Sequence, residues 1–389
     1  MNRAIILLLD GVGVGELPDA NLYNDVGSNT LKNLAKIIKD FHLPNLEKLG
    51  LGNIIDLNGV KKQTSPSASY GKMAELSPGK DSTSGHWELM GVVLERPFPV
   101  FPNGFPKDLI QQFESAIGRK IIGNIPASGT EIINKLGEQH INTKYPIVYT
   151  SADSVFQIAA HEDVIPINEL YKMCLIARKM LTGKYNVSRV IARPFTGKLG
   201  NFTRTKNRKD FSVKPPRPTL LDIAKQNSYE VVAIGKIDEL FANQGHTASV
   251  HSVNNMECFD ATVKAMGKYQ KSLIFTNFVQ FDMDWGHRNN CEKFYKGLLE
   301  FDTRFPEILK MLKNNDILFI TADHGNDPTT PSTDHSREYV PILVYGLNIR
   351  KGVNLGTRAS FADLGQTIAE FLKLPTLKNG KSFYRELKL

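Results

Sequence analysis

Three aspartates and three histidines carry the first chemical signal in this sequence of 389 residues. Asp10 closes an early apolar run, and Asp323-His324 closes a late one. Asp282 and His287 follow a third, within Asp282-Met283-Asp284-Trp285-Gly286-His287, and His335 stands a loop further on beside Asp334. Carboxylates mixed with imidazoles suit Mn²⁺ or Zn²⁺ better than Ca²⁺. Six such ligands are enough for two metals about 4 Å apart, an arrangement that stabilises charge on a phosphoryl group. Taken singly, each is as readily a surface histidine or a capping aspartate. Their joint placement at predicted strand ends is what points to metal.

A second signal is Gly79-Lys80-Asp81-Ser82-Thr83-Ser84-Gly85-His86-Trp87-Glu88. Small hydroxyl residues ahead of a helix can hold a phosphoryl group on backbone amides, and a metal can make one of them a nucleophile. Serine and threonine are also ordinary helix caps. The glycine spacing is not that of a Walker A loop. A third signal is the basic run Arg189, Arg193, Lys198, Arg204, Lys206, Arg208 and Lys209, interleaved with Pro194, Phe195 and Phe202. Guanidinium forks bind phosphate oxygens in pairs. A solvated basic surface is the plain alternative. No nucleic-acid module accompanies the run.

The elements that must position these groups are short apolar runs ending in an acid or a turn. Ala4–Leu9, Pro146–Tyr149, Val231–Ile234, Ser272–Phe281 and Ile317–Thr321 read as buried strands of a parallel sheet. Ligands bind beyond the carboxyl ends of such strands. Helices are expected at Asn29–Lys39, Asn45–Leu49, Leu170–Thr182, Asn290–Leu312 and Phe361–Leu372. Proline clusters from Pro97 to Pro106 and from Pro215 to Pro218 mark two joints. They divide the chain into 1–96 with 216–389, a discontinuous metal-binding core, and 97–215, an inserted cap.

Composition narrows the class. Hydrophobic residues are 41% and charged residues 23%, which argues against disorder and fibrous repeats. The net charge of +8 is concentrated between Lys184 and Arg217, a local anion patch. Cys174, Cys258 and Cys291 form no CxxC pair, so neither a thiolate zinc site nor a disulfide framework is indicated. The apolar run after Arg3 is too short for a signal peptide and ends in Asp10-Gly11. No segment nears the roughly 20 apolar residues needed to span a bilayer. A soluble, cytoplasmic protein is expected.

Asp10-Gly-Val-Gly, Leu43-Pro-Asn-Leu, Asp282-x4-His287, Thr321-Ala-Asp323-His324-Gly325 and Thr333-Asp334-His335 resemble the alkaline phosphatase superfamily. Gly79–Glu88, Tyr149–Ala159, Val190–Phe195, Gly200–Arg208 and Phe361–Ile368 are similar to the phosphopentomutase family within it. The resemblance implies an α/β fold: an alkaline-phosphatase-like core with a mostly parallel sheet flanked by helices, interrupted by a smaller α/β cap. It implies an isomerase interconverting ribose 1-phosphate and ribose 5-phosphate, or their deoxy forms, through a phosphoenzyme. Two Mn²⁺ per chain are implied, one on Asp282, His287 and His335, the other on Asp10, Asp323, His324 and the nucleophile. A sugar bisphosphate is the implied primer. Asp153, Arg193, Arg204 and Arg208 match residues expected to hold the sugar and its distal phosphate.

Where the family usually carries threonine, Ser82 stands here with Thr83 beside it; Ser82 is taken as the nucleophile. Gln280 replaces an acid, and Asp284 is an additional one. The partners expected are small sugar phosphates, with no nucleic acid, membrane or obligate protein partner. The nearest rival is the cofactor-independent phosphoglycerate mutase, or a related metal-dependent phosphatase; a non-catalytic anion-binding module is the rival from another class.

Overall fold

Residues Arg3–Leu9 are all buried, and they form the strand β1 in the middle of the larger of two sheets. The structure is a computed structural model that describes residues 2–151 and 153–389. Met1 and Ala152, the latter within the Tyr149–Ala159 stretch, lie outside the described residues. The chain divides into two compact units, Met1–Arg96 with Pro215–Leu389, and Pro97–Lys214. In chain order the first unit contributes β1 and β2 (Ser69–Met73). The second contributes β3 (Ile122–Pro126), β4 (Ile147–Thr150), β5 (Val155–His161), β6 (Arg189–Lys198), β7 (Asn201–Arg204) and β8 (Lys209–Ser212). The first unit resumes with β9 (Glu230–Ile234), β10 (Ala248–Val250), β11 (Ser272–Phe278), β12 (Asp316–Thr321), β13 (Val340–Tyr345) and β14 (Asn354–Arg358).

The eight-stranded sheet of the first unit runs β10-β9-β11-β1-β12-β13-β2-β14. It is parallel from β10 to β12 and between β2 and β14; β13 is antiparallel to both its neighbours. Register fixes where the chemistry emerges. Leu9 pairs with Phe278 and Leu8 with Thr321, so β11, β1 and β12 end at one level. The segments bearing Asp282, Asp10 and Asp323 therefore leave the sheet side by side. The strand expected over Ser272–Phe281 stops at Phe278; a π-helical turn, Phe281–Trp285, follows and leads into a short 3-10 turn, Gly286–Arg288. Such turns re-aim side chains that a strand would leave alternating. The helix Cys291–Met311 buries Phe294, Leu298, Phe301, Phe305 and Ile308 at helical spacing, as an amphipathic element packed on a core must.

The second unit has its own sheet, β3-β4-β5-β6-β7, with β8 also paired to β6. The Pro146–Tyr149 run was expected in a parallel sheet; it lies here as β4, parallel to β3 but antiparallel to β5. One buried cluster includes Phe105, Phe113, Phe156 and Met173, and another includes Ile132, Tyr149, Phe195 and Phe202. The basic run lies on β6, β7 and β8 and, at Lys206 and Arg208, in the loop between β7 and β8; β7 and β8 each pair antiparallel with β6. No helix of the described residues is long and apolar enough to cross a membrane.

Candidate active site

At the shared edge of β11, β1 and β12, the six acids and imidazoles converge. His287 Nε2 stands 3.3 Å from Asp282 Oδ2, and His335 Nε2 stands 3.2 Å from Asp282 Oδ1. His324 Nε2 lies 3.4 Å from Asp10 Oδ1 and 3.2 Å from Asp323 Oδ2. The ring centroids of His324 and His335 are 4.0 Å apart, which joins the two groups into one cluster. Ligand atoms of Asp10, Asp323 and His324 lie within 4.8 Å of one another, as do those of Asp282, His324 and His335. His324 thus belongs to both triads.

Backbone carbonyls set the imidazole tautomers. His287 Nδ1 donates to Thr333 O at 2.7 Å and His324 Nδ1 to Gly325 O at 3.0 Å, which turns both Nε2 lone pairs toward the carboxylates. Burial, with Asp323 and Asp282 adding like charge, pushes the Asp10 carboxyl well above its ordinary range. Burial also opposes ionisation of Asp282, but His287 and His335 overcome it and hold that carboxyl well below the usual range. Asp10 Oδ1 and Asp323 Oδ2 are buried with imidazole nitrogens as close neighbours, His324 Nε2 at 3.4 and 3.2 Å and His86 Nδ1 at 3.0 Å from Asp323, and no well-aligned donor among the described residues satisfies either oxygen. Crowded acids with orphaned oxygens, faced by imidazole nitrogens, are the donor set a divalent metal requires. The residues fit such a group.

The Gly79–Glu88 segment meets this cluster at the first turn of the helix Ser82–Leu89. Asp81 caps it, its Oδ1 accepting from the amides of Thr83 and Ser84 at 3.0 and 3.1 Å. Ser82 Oγ sits 3.0 Å from His324 Nε2. Thr83 is buried, and the adjacent Ser84 hydroxyl donates to Glu75 at 3.0 Å. Gly85 allows the close approach: a Cβ there would fall 2.2 Å from the Asp323 carbonyl oxygen. Glu88, fully buried, accepts from the amides of Leu76, Ser77 and Phe361 and anchors the far end of the helix. Asp284 accepts from Gln280 Nε2 at 3.0 Å, and that bond occupies the acid. Asp334 pairs with Lys80 Nζ at 3.2 Å, and the same ammonium is 3.1 Å from Asp25.

Several groups here carry no sequence signal of their own. Asn277 Nδ2 donates to Asp10 Oδ2 at 2.9 Å, and Asn326 Nδ2 donates to Asp282 Oδ1 at 2.6 Å. His86 Nδ1 lies 2.8 Å from the Ser82 carbonyl oxygen. Arg337 donates to the carbonyls of Ser77 and Gly79 at 2.9 and 2.6 Å, holding the loop that leads to Ser82. An asparagine inside an apolar strand, as at 277, is the one available hint.

In the second unit the expected anion-binding residues are differentiated. Arg208 gives Nε and Nη2 to Asp210, each at 2.8 Å. Arg193 Nε donates to Gln157 Oε1 at 3.0 Å, and burial, reinforced by Arg208, brings its guanidinium down to about 10. Asp153 faces Arg189 at 3.8 Å. Arg204, across from Phe195 in the β6–β7 pair, lies against Gly129 and Tyr149. The Nε–Nη2 side of Arg208 is engaged by Asp210, an acid the sequence reading did not weigh.

The Metalloenzyme superfamily profile matches residues 2–376. The chain is 60% identical over 388 residues to the phosphopentomutase of Dictyoglomus turgidum, covering 100% of this chain and 98% of that one. It is 56% identical to the phosphopentomutase of Clostridium novyi, covering 100% and 99% of the two chains. It is 58% identical to that of Carboxydothermus hydrogenoformans, covering 100% of both. The chain thus belongs to the Metalloenzyme superfamily and has an alkaline-phosphatase-like α/β fold. Within that superfamily it is a member of the phosphopentomutase family, a group of phosphotransferring isomerases. Full-length identity at this level does not favour the phosphoglycerate mutase or phosphatase alternative.

Proposed function

We propose that this chain interconverts ribose 1-phosphate and ribose 5-phosphate, and their deoxy counterparts, through a phosphoenzyme at Ser82. The observation that carries this reading is the 3.0 Å contact from Ser82 Oγ to the same His324 Nε2 that faces Asp10 and Asp323. Asp282, His287 and His335 would hold one divalent metal, and Asp10, Asp323 and His324 a second beside Ser82, with manganese the proposed ion. Bound there, the metals supply positive charge for the phosphoryl oxygens and lower the pKa of a hydroxyl. The Asp81 cap and the carbonyl contacts of His86 and Arg337 fix the direction of the Ser82 hydroxyl. Isomerisation then exchanges a phosphoryl group between Ser82 Oγ and a sugar hydroxyl, the P–O bond to one oxygen breaking as that to the other forms. A sugar bisphosphate primes the resting enzyme.

Residues 1–96 with 216–389 act as the catalytic core in this reading, and 97–215 as the cap. Asp153 accepts hydrogen bonds from ribose hydroxyls, while Arg193, Arg204 and Arg208 hold the distal phosphate. The enzyme works in the cytoplasm on small sugar phosphates. The deciding experiment is a turnover assay with Mn²⁺ in which ribose 5-phosphate and 3-phosphoglycerate are offered in parallel. Isomerisation of the pentose alone is the expected result; turnover of 3-phosphoglycerate alone would overturn the reading.

A further inference from the structure

Asn277 stands one residue before the end of β11, paired with Leu8 of β1, and Asn326 stands in the loop after β12. Both are buried, at 0% and 1% exposure, and the side-chain oxygen of each has no hydrogen-bond partner among the described residues. A buried amide with one half unsatisfied weakens a fold, so packing does not account for either residue. Their nitrogens do. Asn277 Nδ2 donates to Asp10 Oδ2 at 2.9 Å, and Asn326 Nδ2 donates to Asp282 Oδ1 at 2.6 Å.

The two bonds fall on different triads. Asp10 belongs to the one with Asp323 and His324, and Asp282 to the one with His324 and His335. Asn277 takes Oδ2 of Asp10 and leaves free of itself Oδ1, the oxygen 3.4 Å from His324 Nε2. Asn326 is held from two sides: its backbone N–H donates to Gly11 O at 2.8 Å, and a Cβ on Gly286 would fall 2.5 Å from its Cγ. It therefore ties the loop after β1 to the turns that carry Asp282 and His287. An amide suits this work because it is neutral. A lysine or arginine in its place would offset the carboxylate charge and compete with a cation, whereas an amide fixes the carboxylate and leaves its charge intact.

We propose that Asn277 and Asn326 are positioning residues with divided duties: Asn277 sets the Asp10 carboxylate for one divalent metal, and Asn326 sets the Asp282 carboxylate for the other. Each asparagine thus tunes one ion independently of the second, acting through the carboxylate it holds. This rests on the two-metal reading above and deepens it.

The test is titration of the metal-stripped, full-length protein with Mn²⁺, the free ion being counted by electron paramagnetic resonance. Asn277→Leu and Asn326→Leu should each weaken one of the two ions by about 10–100-fold and spare the other, as loss of a partner that orients a metal ligand does. Ligand variants tell the ions apart. In Asp282→Asn, which keeps the Asp10 ion, Asn277→Leu should weaken the remaining ion and Asn326→Leu should not; in Asp10→Asn the pattern should reverse. The melting temperature of each metal-free variant reports the fold. Where leucine lowers it, Asn277→Ala and Asn326→Ala remove the amide without adding bulk. Equal weakening of both ions by either substitution, or affinities unchanged in all four variants, overturns the division of duties and leaves the two-metal reading standing. A wild type that takes up no Mn²⁺ overturns the proposal together with that reading.

Discussion

His86 Nδ1 stands 3.0 Å from Asp323 Oδ2, so the helix that begins at Ser82 touches a candidate metal ligand through its fifth residue. Both side chains are fully buried, and the imidazole stacks on Phe275 of β11 with ring centroids 5.7 Å apart. Substituting His86→Phe keeps the ring volume and removes the nitrogen. Partners that orient a metal ligand typically contribute about 10–100-fold to activity or metal affinity. We expect kcat to fall by that factor with KM for ribose 5-phosphate nearly unchanged. Steady-state kinetics beside a thermal melt would check it: a fall in melting temperature with kcat preserved would show that His86 only packs.

This contact also marks where the sequence stops being legible. Buried parallel strands read as unbroken apolar runs, so β1, β9, β11 and β12 are visible, and the acids that follow them mark the sheet edge. The strand β2, Ser-Tyr-Gly-Lys-Met, carries a glycine and a lysine, and β13 has a proline at its second position; both depend on their neighbours for their conformation. The helix Gly129–Thr143 passes unread because its apolar residues, Ile132, Ile133, Leu136 and Ile141, are sparse. Asn326, His86 and Arg337 act through the direction of a side chain, which only the packed fold determines.

Ser82→Ala should abolish mutase turnover and leave the fold intact. Ser82 is the first residue of its helix and Asp81 is the cap, so alanine at 82 removes no capping bond. Peptide mass mapping of protein incubated with a sugar bisphosphate should find the phosphoryl group on Ser82. Phosphate on Thr83 would reassign the nucleophile.

Asp10→Asn should have opposite effects with and without metal. Burial and the like charges of Asp323 and Asp282 act against the Asp10 carboxylate, and an amide relieves both. The metal-free variant should therefore melt above metal-free wild type. Added Mn²⁺ should raise wild type strongly, by about 2.7 kcal/mol at a hundredfold excess over Kd, and the variant little. Melting curves in chelator and in Mn²⁺ would show the crossing; parallel curves would count against the metal assignment.

Asp210 offers a pH signature. Burial works against its ionisation, but Arg208, Arg189 and Arg193 hold the carboxyl below its ordinary value. A group depressed in the folded state stabilises above its unfolded pKa, about 3.9, and that contribution is lost as pH falls through the folded value. Wild type should therefore melt above Asp210→Asn by a constant margin at pH 5–7. The margin should shrink only below about pH 3.9, as differential scanning calorimetry across the range would reveal.

The placement of β1 between β11 and β12 has a consequence for how the protein is born. Asp10 and its partner Asn277 are 267 residues apart in the chain, and β12 lies further along still. Every strand pairing of the 97–214 unit, by contrast, lies within that unit. On the ribosome the inserted unit emerges with all its sheet partners, while β1 waits as an unpaired apolar segment until the last third of the chain is made. Contacts so distant in sequence form late and leave a long interval in which an exposed strand can aggregate. Chaperone capture of nascent chains should therefore centre on the first ten residues and subside once β12 has been synthesised.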